Sequence, residues 1–457
     1  MQLPPQVFRQ YDIRGLAGDE LTAPLAHEVG RALATLISRR ADHPPTIVVG
    51  RDNRPSSELL ASAVCDGIAA AAGTALDVGE LPTPALYFAA ADLATDGGIQ
   101  VTGSHNPPEF NGFKMIAGGE AVYGAEIQEI RRLIESESLD SGTGTLKRNS
   151  TVLDRYAEAI LERNGPLRRP VRVVVDCGNG VGSLVAESLL TRLGAEVIPL
   201  FCDSDGTFPN HHPDPTELEN LADLQEQVRV SRAEIGFAFD GDADRIGAVD
   251  ETGKVVFGDQ ILILLGRDLV RRHGEGHSVI FDVKCSSVLS DELRRAGLKP
   301  VMWKTGHSLI KAKMKELGAP LAGEMSGHMF FGGDYLGFDD AMFAAARLLD
   351  FMSQQDGPMS SLTSDIPPTF ATPELRVDCP DAKKFDVVRQ AAEHFSQRYE
   401  VLTLDGARIE FSDGWGLIRA SNTQPVIVMR FEALTEANLQ RYRDEVEGWL
   451  RRHGVMT

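Results

Sequence analysis

A strand–turn–helix–strand pattern occurs three times along this chain and restricts it to an α/β fold. The three units span residues 46–78, 171–200 and 278–303. In each unit a β-branched run ends in polar residues, a helical stretch follows, and a glycine precedes a second apolar run. Strands alternating with helices of this length predict α/β layers with largely parallel pairing. Any α/β protein shows some alternation, but three similar units lead us to expect three related α/β domains with mixed sheets.

Breaks between the units predict four domains, since 457 residues are too many for a single core. A Ser/Gly/Thr-rich linker at 136–145 and turn-forming residues at 250–253 and 365–368 mark these breaks. The C-terminal part has two candidate helices, at 381–398 and 434–451, with strand-like runs between them, and is predicted to be a small α+β domain. We expect the domains to span residues 1–148, 149–253, 254–366 and 367–457.

Composition and charge exclude several classes of protein. The formal net charge of −20 argues against nucleic-acid binding, which needs a basic face, although a local basic cluster can still bind a small anionic substrate. The five cysteines form no Cys-x-x-Cys pair, so neither a disulfide framework nor a zinc site is expected. The N-terminus has no signal-peptide pattern, and apolar stretches such as 261–265 are too short to cross a membrane. We expect a cytoplasmic monomer without a membrane partner.

The segment Thr102-Gly-Ser-His-Asn-Pro-Pro108 places one hydroxyl between a glycine and a histidine and closes with two prolines. Pro107 and Pro108 fix the local backbone angles, and Asn106 before them is pushed toward extended geometry. The segment is therefore predicted to be a stiff, exposed loop that presents the Ser104 hydroxyl. An ordinary surface turn is the alternative, because the same residue types dominate turns.

A predicted strand ends in three aspartates at alternate positions, Asp240, Asp242 and Asp244. Their carboxylate oxygens suit Mg²⁺, and without a cation the three charges would repel one another. A calcium EF-hand loop is disfavoured because Arg245 occupies its sixth position, which must be glycine, and because a strand precedes it. An aspartate-rich turn is the other alternative. Arg245 can itself reach a phosphate oxygen, where a guanidinium pairs in bidentate fashion.

Two further polar loops suit a sugar phosphate. Gly323-Glu-Met-Ser-Gly-His328 carries an acid, a hydroxyl and an imidazole that match vicinal sugar hydroxyls, with a capped turn as the alternative. Arg419-Ala-Ser-Asn-Thr-Gln-Pro425 can cradle a phosphate group, with a polar turn as the alternative. Four single basic residues lie at strand ends or glycine turns, where open α/β sheets bind ligands: Arg14, Lys114, Lys284 and His307.

These four loops, in this order, resemble the α-D-phosphohexomutase family, and within it the bacterial phosphomannomutase/phosphoglucomutase group. The resemblance covers nearly the whole chain and rests on the motifs TGSHNPP, DGDADR, GEMSGH and RASNT. It implies three related α/β domains and a C-terminal α+β domain around a deep central cleft, with one loop from each domain. The sequence departs from the family pattern at Gln424, where relatives often have a second threonine, but this position follows the presumed ligands.

The resemblance also implies roles for individual residues. Ser104 would carry a phosphate in the resting enzyme, and the Mg²⁺ that contacts this phosphoserine would be held by Asp240, Asp242 and Asp244. Glu324 and Ser326 would bind the 3- and 4-hydroxyls of the sugar. The substrate phosphate that is not reacting would be held by Arg419, Ser421, Asn422 and Thr423. The cleft residues that would contact substrate or assist transfer are Tyr11, Arg14, Lys114, Arg245, Lys284, His307 and His328.

The implied reaction interconverts hexose 1-phosphate and hexose 6-phosphate, of mannose and/or glucose, through a hexose 1,6-bisphosphate that also acts as activator. A covalent phosphoserine divides the isomerisation into two transfers, and Mg²⁺, arginine and lysine neutralise charge in each. Lys114 and His307 are both candidates for the base that takes the hydroxyl proton. The alternatives are a phosphoglucosamine mutase, a Mg²⁺-dependent sugar phosphatase and a non-catalytic sugar-phosphate sensor. The methionine at position 325 is similar to the motif of the glucose/mannose enzymes, whereas phosphoglucosamine mutases usually have glutamine there.

Overall fold

The computed structural model of the protein describes residues 3–422 and 424–456, and its first sheet is mixed, with helices on both faces. The strands are β1 (Ile13–Leu16), β2 (Thr46–Arg51), β3 (Thr74–Glu80), β4 (Gly97–Val101), β5 (Phe110–Ala117), β6 (Glu120–Ala121) and β7 (Thr145–Arg148). The helices are α1 (Ala23–Ala41), α2 (Ser57–Ala70), α3 (Thr83–Asp92) and α4 (Ala125–Glu135). The strand order is β1-β5-β4-β2-β3-β7, with β6 beside β5. The four neighbouring strands β4, β2, β3 and β7 are parallel to one another.

The Ser/Gly/Thr-rich stretch at 136–145 is not a free linker. The N–H groups of Gly142 and Gly144 donate to the carbonyls of Ala70 and Ala69, each at 2.8 Å, and β7 then pairs with β3. A Cβ at Gly144 would lie 1.9 Å from the carbonyl oxygen of Gly73, so this close approach requires glycine. Composition predicted a linker here, and the structure shows that these small residues also pack against the first sheet.

The second sheet contains β8 (Arg172–Asp176), β9 (Glu196–Leu200), β10 (Ile235–Phe239), β11 (Ile246–Asp250) and β12 (Val255–Val256). Its helices are α5 (Val152–Asn164), α6 (Ala186–Leu193) and α7 (Ala222–Ser231). The strand order is β12-β11-β10-β8-β9. The strands β10, β8 and β9 are parallel, whereas β11 pairs antiparallel with both β10 and β12. The turn at 250–253 joins β11 to β12, so β12 still pairs with this sheet after the predicted boundary.

The third sheet repeats the parallel arrangement on a smaller scale. Its strands are β13 (Ser278–Asp282), β14 (Lys299–Trp303), β15 (Leu321–Gly323) and β16 (Met329–Phe331), in the order β14-β13-β15-β16. Only the pair of β15 and β16 is antiparallel among these described strands. The helices of this region are α8 (Gly258–His273), α9 (Ser287–Arg295), α10 (His307–Leu317), α11 (Ala341–Ser353) and α12 (Met359–Thr363).

The fourth sheet is antiparallel throughout its described pairs and has two helices, α13 (Asp381–Phe395) and α14 (Glu436–Arg452). Its strands are β17 (Phe370–Ala371), β18 (Leu375–Asp378), β19 (Glu400–Leu402), β20 (Ala407–Phe411), β21 (Gly414–Ala420) and β22 (Val426–Ala433). This is the α+β domain that the sequence predicted. Three mixed α/β regions followed by an α+β region confirm the predicted fold class.

One apolar core extends through the first three regions, and a separate core fills the fourth. Val48 on β2, Ile160 on α5 and Leu262 on α8 belong to the same buried cluster. The C-terminal cluster is distinct, and a small apolar group that includes Val283 and Trp415 connects it to the third sheet. The first three regions are therefore joined by extensive buried apolar surface, whereas the apolar contact of the fourth with the third is small. Among the described helices, none has the length and apolar content needed to span a bilayer.

Asp340 joins the second and third regions at the start of α11. Its carboxylate accepts hydrogen bonds from the N–H of Phe343 at 2.9 Å and from the hydroxyls of Tyr156 and Tyr335 at 2.8 and 2.7 Å. Burial raises the pKa of Asp340 to about 6, although all three hydrogen bonds favour the ionised carboxylate. The cost of burying the charge therefore exceeds the gain from its three donors.

The raised pKa predicts how Asp340 affects stability at different pH values. Because the folded state binds this proton more tightly than the unfolded state, the contribution of Asp340 to stability falls as the pH rises from about 4 to about 6, and then stays constant. Asp340→Asn cannot ionise, so its free energy of unfolding should rise relative to wild type by up to about 3 kcal/mol between pH 4 and pH 7. Urea denaturation at both pH values measures this change, and a difference independent of pH would contradict it.

Candidate active site

Ser104 lies in the loop after β4 with a positive φ of 50°, a conformation that few residues other than glycine adopt. Its hydroxyl donates to Asp240 Oδ2 at 2.9 Å and lies 3.2 Å from Nδ1 of His105. Its N–H donates to the hydroxyl of Thr102 at 2.8 Å. Ser104 is only 2% exposed, so the prediction of an exposed hydroxyl was wrong. The hydroxyl instead contacts the acidic loop that carries Asp240, after strand β10 of the second sheet.

The acidic loop follows β10 and forms a compact carboxylate cluster. Ligand atoms of Asp240, Asp242 and Asp244 lie within 4.8 Å of one another, and all three residues are fully buried. The Lys114 ammonium, from β5, donates to Asp242 Oδ2 at 2.6 Å and to Asp244 Oδ2 at 2.5 Å. Burial opposes the lysine charge, but these carboxylates outweigh it and raise the pKa of Lys114 well above its ordinary value. Burial and the neighbouring carboxylates raise the pKa of Asp240.

The carboxylate cluster fits a bound cation. The Oδ1 atom of Asp242 is buried and has no hydrogen-bond partner among the described residues. Buried polar atoms are rarely left without a partner, and a divalent cation coordinated by oxygen would satisfy this one. The donor set, all oxygen and no sulfur, is the one that Mg²⁺ prefers.

The loop after β15 connects the acidic cluster to the third region. Glu324 accepts a hydrogen bond from the Gly306 N–H at 2.6 Å and lies 2.7 Å from His328 Nδ1. The other ring nitrogen of His328 is 3.2 Å from Asp244 Oδ1, and the Ser326 hydroxyl is 3.2 Å from His328 Nδ1. Burial opposes both charges, yet the hydrogen bond to His328 lowers the pKa of Glu324 to about 2, and Asp244 and Glu324 raise the pKa of His328 to about 9.

The end of β21 and the loop after it link the fourth region to the first and third. The Arg419 Nε donates to Asp405 Oδ2 at 2.7 Å, and the Thr305 N–H donates to the same carboxylate oxygen at 3.0 Å. The Asn422 amide donates to the Tyr11 hydroxyl at 2.9 Å, and Tyr11 in turn donates to the carbonyl of Thr305 at 3.0 Å. Burial raises the pKa of Tyr11, so its hydroxyl remains a donor. These bonds connect the first, third and fourth regions.

Other predicted residues of these loops have contacts of their own. Ser421 accepts a hydrogen bond from the N–H of Gln424 at 3.1 Å, whereas the predicted ligand Thr423 lies outside the described residues. The Lys284 ammonium lies 3.0 Å from Glu374 Oε2. Burial opposes the lysine charge, but Glu374 outweighs it and raises the pKa of Lys284. This ion pair joins the third region to the fourth.

The remaining predicted side chains are basic groups. Arg14 donates to Asp12 Oδ2 at 2.6 Å, and Arg245 Nε lies 3.3 Å from His328 Nε2. His307 is the first residue of α10, and its Nδ1 has no hydrogen-bond partner among the described residues. Burial and the Lys311 ammonium lower the pKa of His307 well below its ordinary value. The four loops and these basic groups thus form one connected site.

Sequence reasoning missed several residues that shape the site. The Thr83 hydroxyl donates to Asp242 Oδ2 at 2.5 Å, and Asp405 orients Arg419 as described above. Asp52 and Arg54, just after β2, contact the backbone of the loop that carries Ser104. The acid-x-base spacing of Asp52 and Arg54 at a strand end was a visible signal, because such ends line ligand sites in α/β sheets. Thr83 and Asp405 carry no comparable motif.

The fold and the site together define a class: an enzyme of phosphoryl transfer built from four domains whose polar loops are linked by hydrogen bonds and ion pairs. Sequence profiles described as the phosphoglucomutase/phosphomannomutase alpha/beta/alpha domains I, II and III match residues 5–141, 154–253 and 257–370. The profile for the C-terminal domain of the same proteins matches residues 374–448. The chain therefore belongs to the phosphoglucomutase/phosphomannomutase family.

Individual relatives are similar over nearly their full lengths. A phosphomannomutase/phosphoglucomutase of Pseudomonas aeruginosa is 46% identical over 443 residues, which cover 96% of this chain and 94% of the relative. A phosphoglucomutase of Neisseria gonorrhoeae is 42% identical, covering 96% of this chain and 95% of the relative. A crystal structure of a phosphoglucomutase/phosphomannomutase family protein from Burkholderia thailandensis superimposes with a TM-score of 0.91 at 43% identity, covering 99% of this chain and 98% of that one.

The contact between the serine loop and the acidic loop leaves no room for a side chain at Gly241. A Cβ there would lie 2.4 Å from the carbonyl oxygen of Ser104, so one loop must move. We expect Gly241→Ala to lower kcat about 10- to 100-fold, because displacing a reacting group by about 1 Å can cost this much. Gly448→Ala, in the open face of α14, is the matched control and should keep wild-type kcat. Steady-state kinetics measure both, and unchanged kcat in Gly241→Ala would contradict this role of the contact.

Proposed function

We propose that the protein is a phosphohexomutase that interconverts the 1- and 6-phosphates of glucose and/or mannose through phosphoserine at Ser104 and a hexose 1,6-bisphosphate, which also primes the enzyme. The observation that carries this proposal is the 2.9 Å hydrogen bond from the Ser104 hydroxyl to Asp240, within a cluster of three buried carboxylates. A hydroxyl held against a cation site is placed to exchange a phosphoryl group. A covalent phosphoserine then divides the isomerisation into two transfers.

The acidic cluster is proposed to hold the metal. Asp240, Asp242 and Asp244, with an oxygen on Ser104, would bind Mg²⁺, which neutralises charge on the transferring phosphoryl group. The unpartnered Oδ1 atom of Asp242 supports this assignment. Lys114, bonded to two of these carboxylates, would remain charged and hold them in position.

The other loops are proposed to bind the substrate. The sugar hydroxyls would bind Glu324, Ser326 and His328. The distal phosphate would bind Arg419, whose Nε is already bonded to Asp405, together with Ser421, Asn422 and Thr423. Tyr11, Arg14, Arg245 and Lys284 would supply donors and positive charge between the two ends of the ligand. The sugar must present either end to Ser104, so one phosphate loop would serve both orientations.

The base that takes the hydroxyl proton is proposed to be His307 rather than Lys114. The Lys114 ammonium already donates to two carboxylates, and its raised pKa keeps it protonated. His307 has a lowered pKa and an unpartnered Nδ1, so it is neutral and able to accept a proton.

The C-terminal region is proposed to move as the ligand reorients. Its core is separate from the core shared by the other three regions. It joins the third region through a small apolar group that includes Val283 and Trp415, and through polar contacts such as those of Arg408 with the carbonyls of Val283 and Cys285. The segment with Pro367 and Pro368 precedes β17 and would act as the hinge. Closure would exclude water from the phosphoserine and favour transfer to sugar over hydrolysis.

The test is a comparison of products from three substrates. With Mg²⁺ and a trace of glucose 1,6-bisphosphate, glucose 1-phosphate and mannose 1-phosphate should be converted to their 6-phosphates without stoichiometric release of inorganic phosphate. Glucosamine 1-phosphate should be converted more slowly than at least one of them. Stoichiometric phosphate release would indicate the phosphatase instead, and binding without turnover would indicate a sensor. The relative rates decide between mannose and glucose.

A further inference from the structure

A buried arginine lies beneath the loop that carries Ser104, outside all four motifs. Arg54 follows β2, and its side chain is completely buried. Its guanidinium donates to a set of backbone carbonyls of the serine loop, at 2.7, 2.6, 2.5 and 3.1 Å respectively: Ser104, Asn106, Pro107 and Phe110. Its Nε donates to Asp52 Oδ2 at 3.0 Å. One side chain thus binds four carbonyl groups within seven residues of the loop.

Asp52 accepts hydrogen bonds from donor groups of the same loop. Its Oδ2 accepts hydrogen bonds from the Thr102 hydroxyl at 2.8 Å and from the Gly103 N–H at 3.1 Å. Its Oδ1 accepts from the Arg54 N–H at 3.1 Å and from the Ser57 hydroxyl. Asp52 therefore takes donors that precede Ser104, while Arg54 takes acceptors at and after it. The ion pair holds the loop from both sides of the serine.

The serine loop packs closely against Arg54 and the acidic loop. A Cβ at Gly103 would lie 2.5 Å from Arg54 Cζ, so the backbone rests directly on the guanidinium. The Ser104 carbonyl lies between Arg54 and Gly241, where a Cβ would be 2.4 Å from it. The ring of Phe208 from the second region packs on the guanidinium, with 5.0 Å between Arg54 Cζ and the ring centre. These contacts hold Ser104 in its uncommon positive-φ conformation.

We propose that Arg54, together with Asp52, is the positioning residue that fixes Ser104 for phosphoryl transfer. Five hydrogen bonds from one rigid guanidinium fix the loop backbone relative to Asp52, and with it the position of the Ser104 hydroxyl. A lysine cannot replace this arginine, because a single ammonium lacks the planar fork that binds several acceptors at once. The proposal rests on the proposed function, since it concerns the step in which Ser104 accepts or donates phosphate.

Arg54→Lys is the main variant. It keeps the positive charge near Asp52 but loses the fork, so kcat should fall about 100-fold, as expected for a misplaced reacting group. The KM for hexose phosphate should stay within about threefold of wild type, because the sugar and phosphate loops are untouched. Arg347→Lys is the matched control: Arg347 is also buried and paired with an aspartate, Asp268, but in the helices of the third region. It should keep wild-type kcat and KM.

Two measurements separate positioning from folding. Turnover is expressed per mole of sites that bind glucose 6-phosphate in calorimetry, so misfolded protein does not count. Single-turnover transfer from glucose 1,6-bisphosphate to dephosphorylated Ser104, followed by mass spectrometry, should slow by the same factor as kcat in Arg54→Lys. Asp52→Asn, which keeps the size of the side chain, should show the same slow transfer. If Arg54→Lys cannot be obtained folded, Asp52→Asn alone provides the test.

The outcomes are distinct. Slow phosphorylation of Ser104 with an unchanged KM in Arg54→Lys or Asp52→Asn, and normal kinetics in Arg347→Lys, support the proposal. Wild-type transfer per binding site, or an equal loss in Arg347→Lys, overturns it. A wild-type enzyme that neither phosphorylates Ser104 nor interconverts hexose phosphates would instead overturn the proposed function.

Discussion

Ser104→Ala is expected to lower mutase turnover by at least about 10³-fold, because no other hydroxyl can take its place as the phosphate carrier. The hydroxyl is 2.9 Å from Asp240 and buried by the meeting of two loops, so a water molecule or neighbouring serine cannot substitute. The variant should still bind glucose 6-phosphate, since the sugar and phosphate loops are unchanged. A coupled assay for glucose 6-phosphate formation and calorimetric binding measure the two properties.

Ser353→Ala is the matched control for loss of a buried hydroxyl. Ser353 ends α11, and its hydroxyl donates to the Asp350 carbonyl at 2.8 Å, away from the cleft. It should retain wild-type turnover. Ser104→Ala with more than about a tenth of wild-type kcat would show that the reaction does not pass through a phosphoserine at this position.

Removal of divalent metal is the second change with a large expected effect. Incubation with a chelator should abolish turnover, and added Mg²⁺ should restore it, because three buried carboxylates otherwise repel the phosphate they face. Asp240→Asn should lower kcat by roughly 10²-fold or more and raise the Mg²⁺ concentration needed for half-maximal activity. Kinetic titration with Mg²⁺ measures both effects.

The control for the metal variant is Asp250→Asn in the same sheet. Asp250 is equally buried, but it accepts hydrogen bonds from the N–H groups of Thr252 and Lys254 in the β11–β12 turn, a role that asparagine can also fill. Its Mg²⁺ dependence should match wild type. Full turnover of the native enzyme in excess chelator, or an Mg²⁺ response of Asp240→Asn that matches wild type, would contradict a metal role for the acidic loop.

The fold could be predicted from the sequence largely because the strand, turn and helix patterns of the sequence match the strands and helices of the structure. The β-branched runs at 46–51 and 278–282 are both central strands, and each is followed by a polar turn and a helix, as expected. The packing of the stretch at 136–145 could not be predicted, because glycine and serine serve equally in linkers and in close packing. Here Gly144 allows the backbone to approach Gly73, a contact that no local pattern reveals.

Much of the candidate site could also be predicted, because each of its four loops has a motif whose side chains suit one chemical task. The sequence could not show how the loops meet. Burial of Ser104 results from contact with the acidic loop, which is more than 130 residues away along the chain. Arg54 was missed because its partners are backbone carbonyls, which every residue type has and which therefore cannot be recognised from the sequence. Side chains that act on one another through tertiary contacts carry no local signature.

Transfer of a labelled phosphate tests the central claim most directly. Glucose 1-phosphate carrying a radiolabelled phosphate is incubated with the enzyme, Mg²⁺ and unlabelled glucose 1,6-bisphosphate, and the protein is sampled within a single turnover and digested. We expect label on the peptide that contains Ser104, appearing at least as fast as the label on carbon 6 of the sugar. Formation of labelled glucose 6-phosphate with no label on that peptide would contradict it.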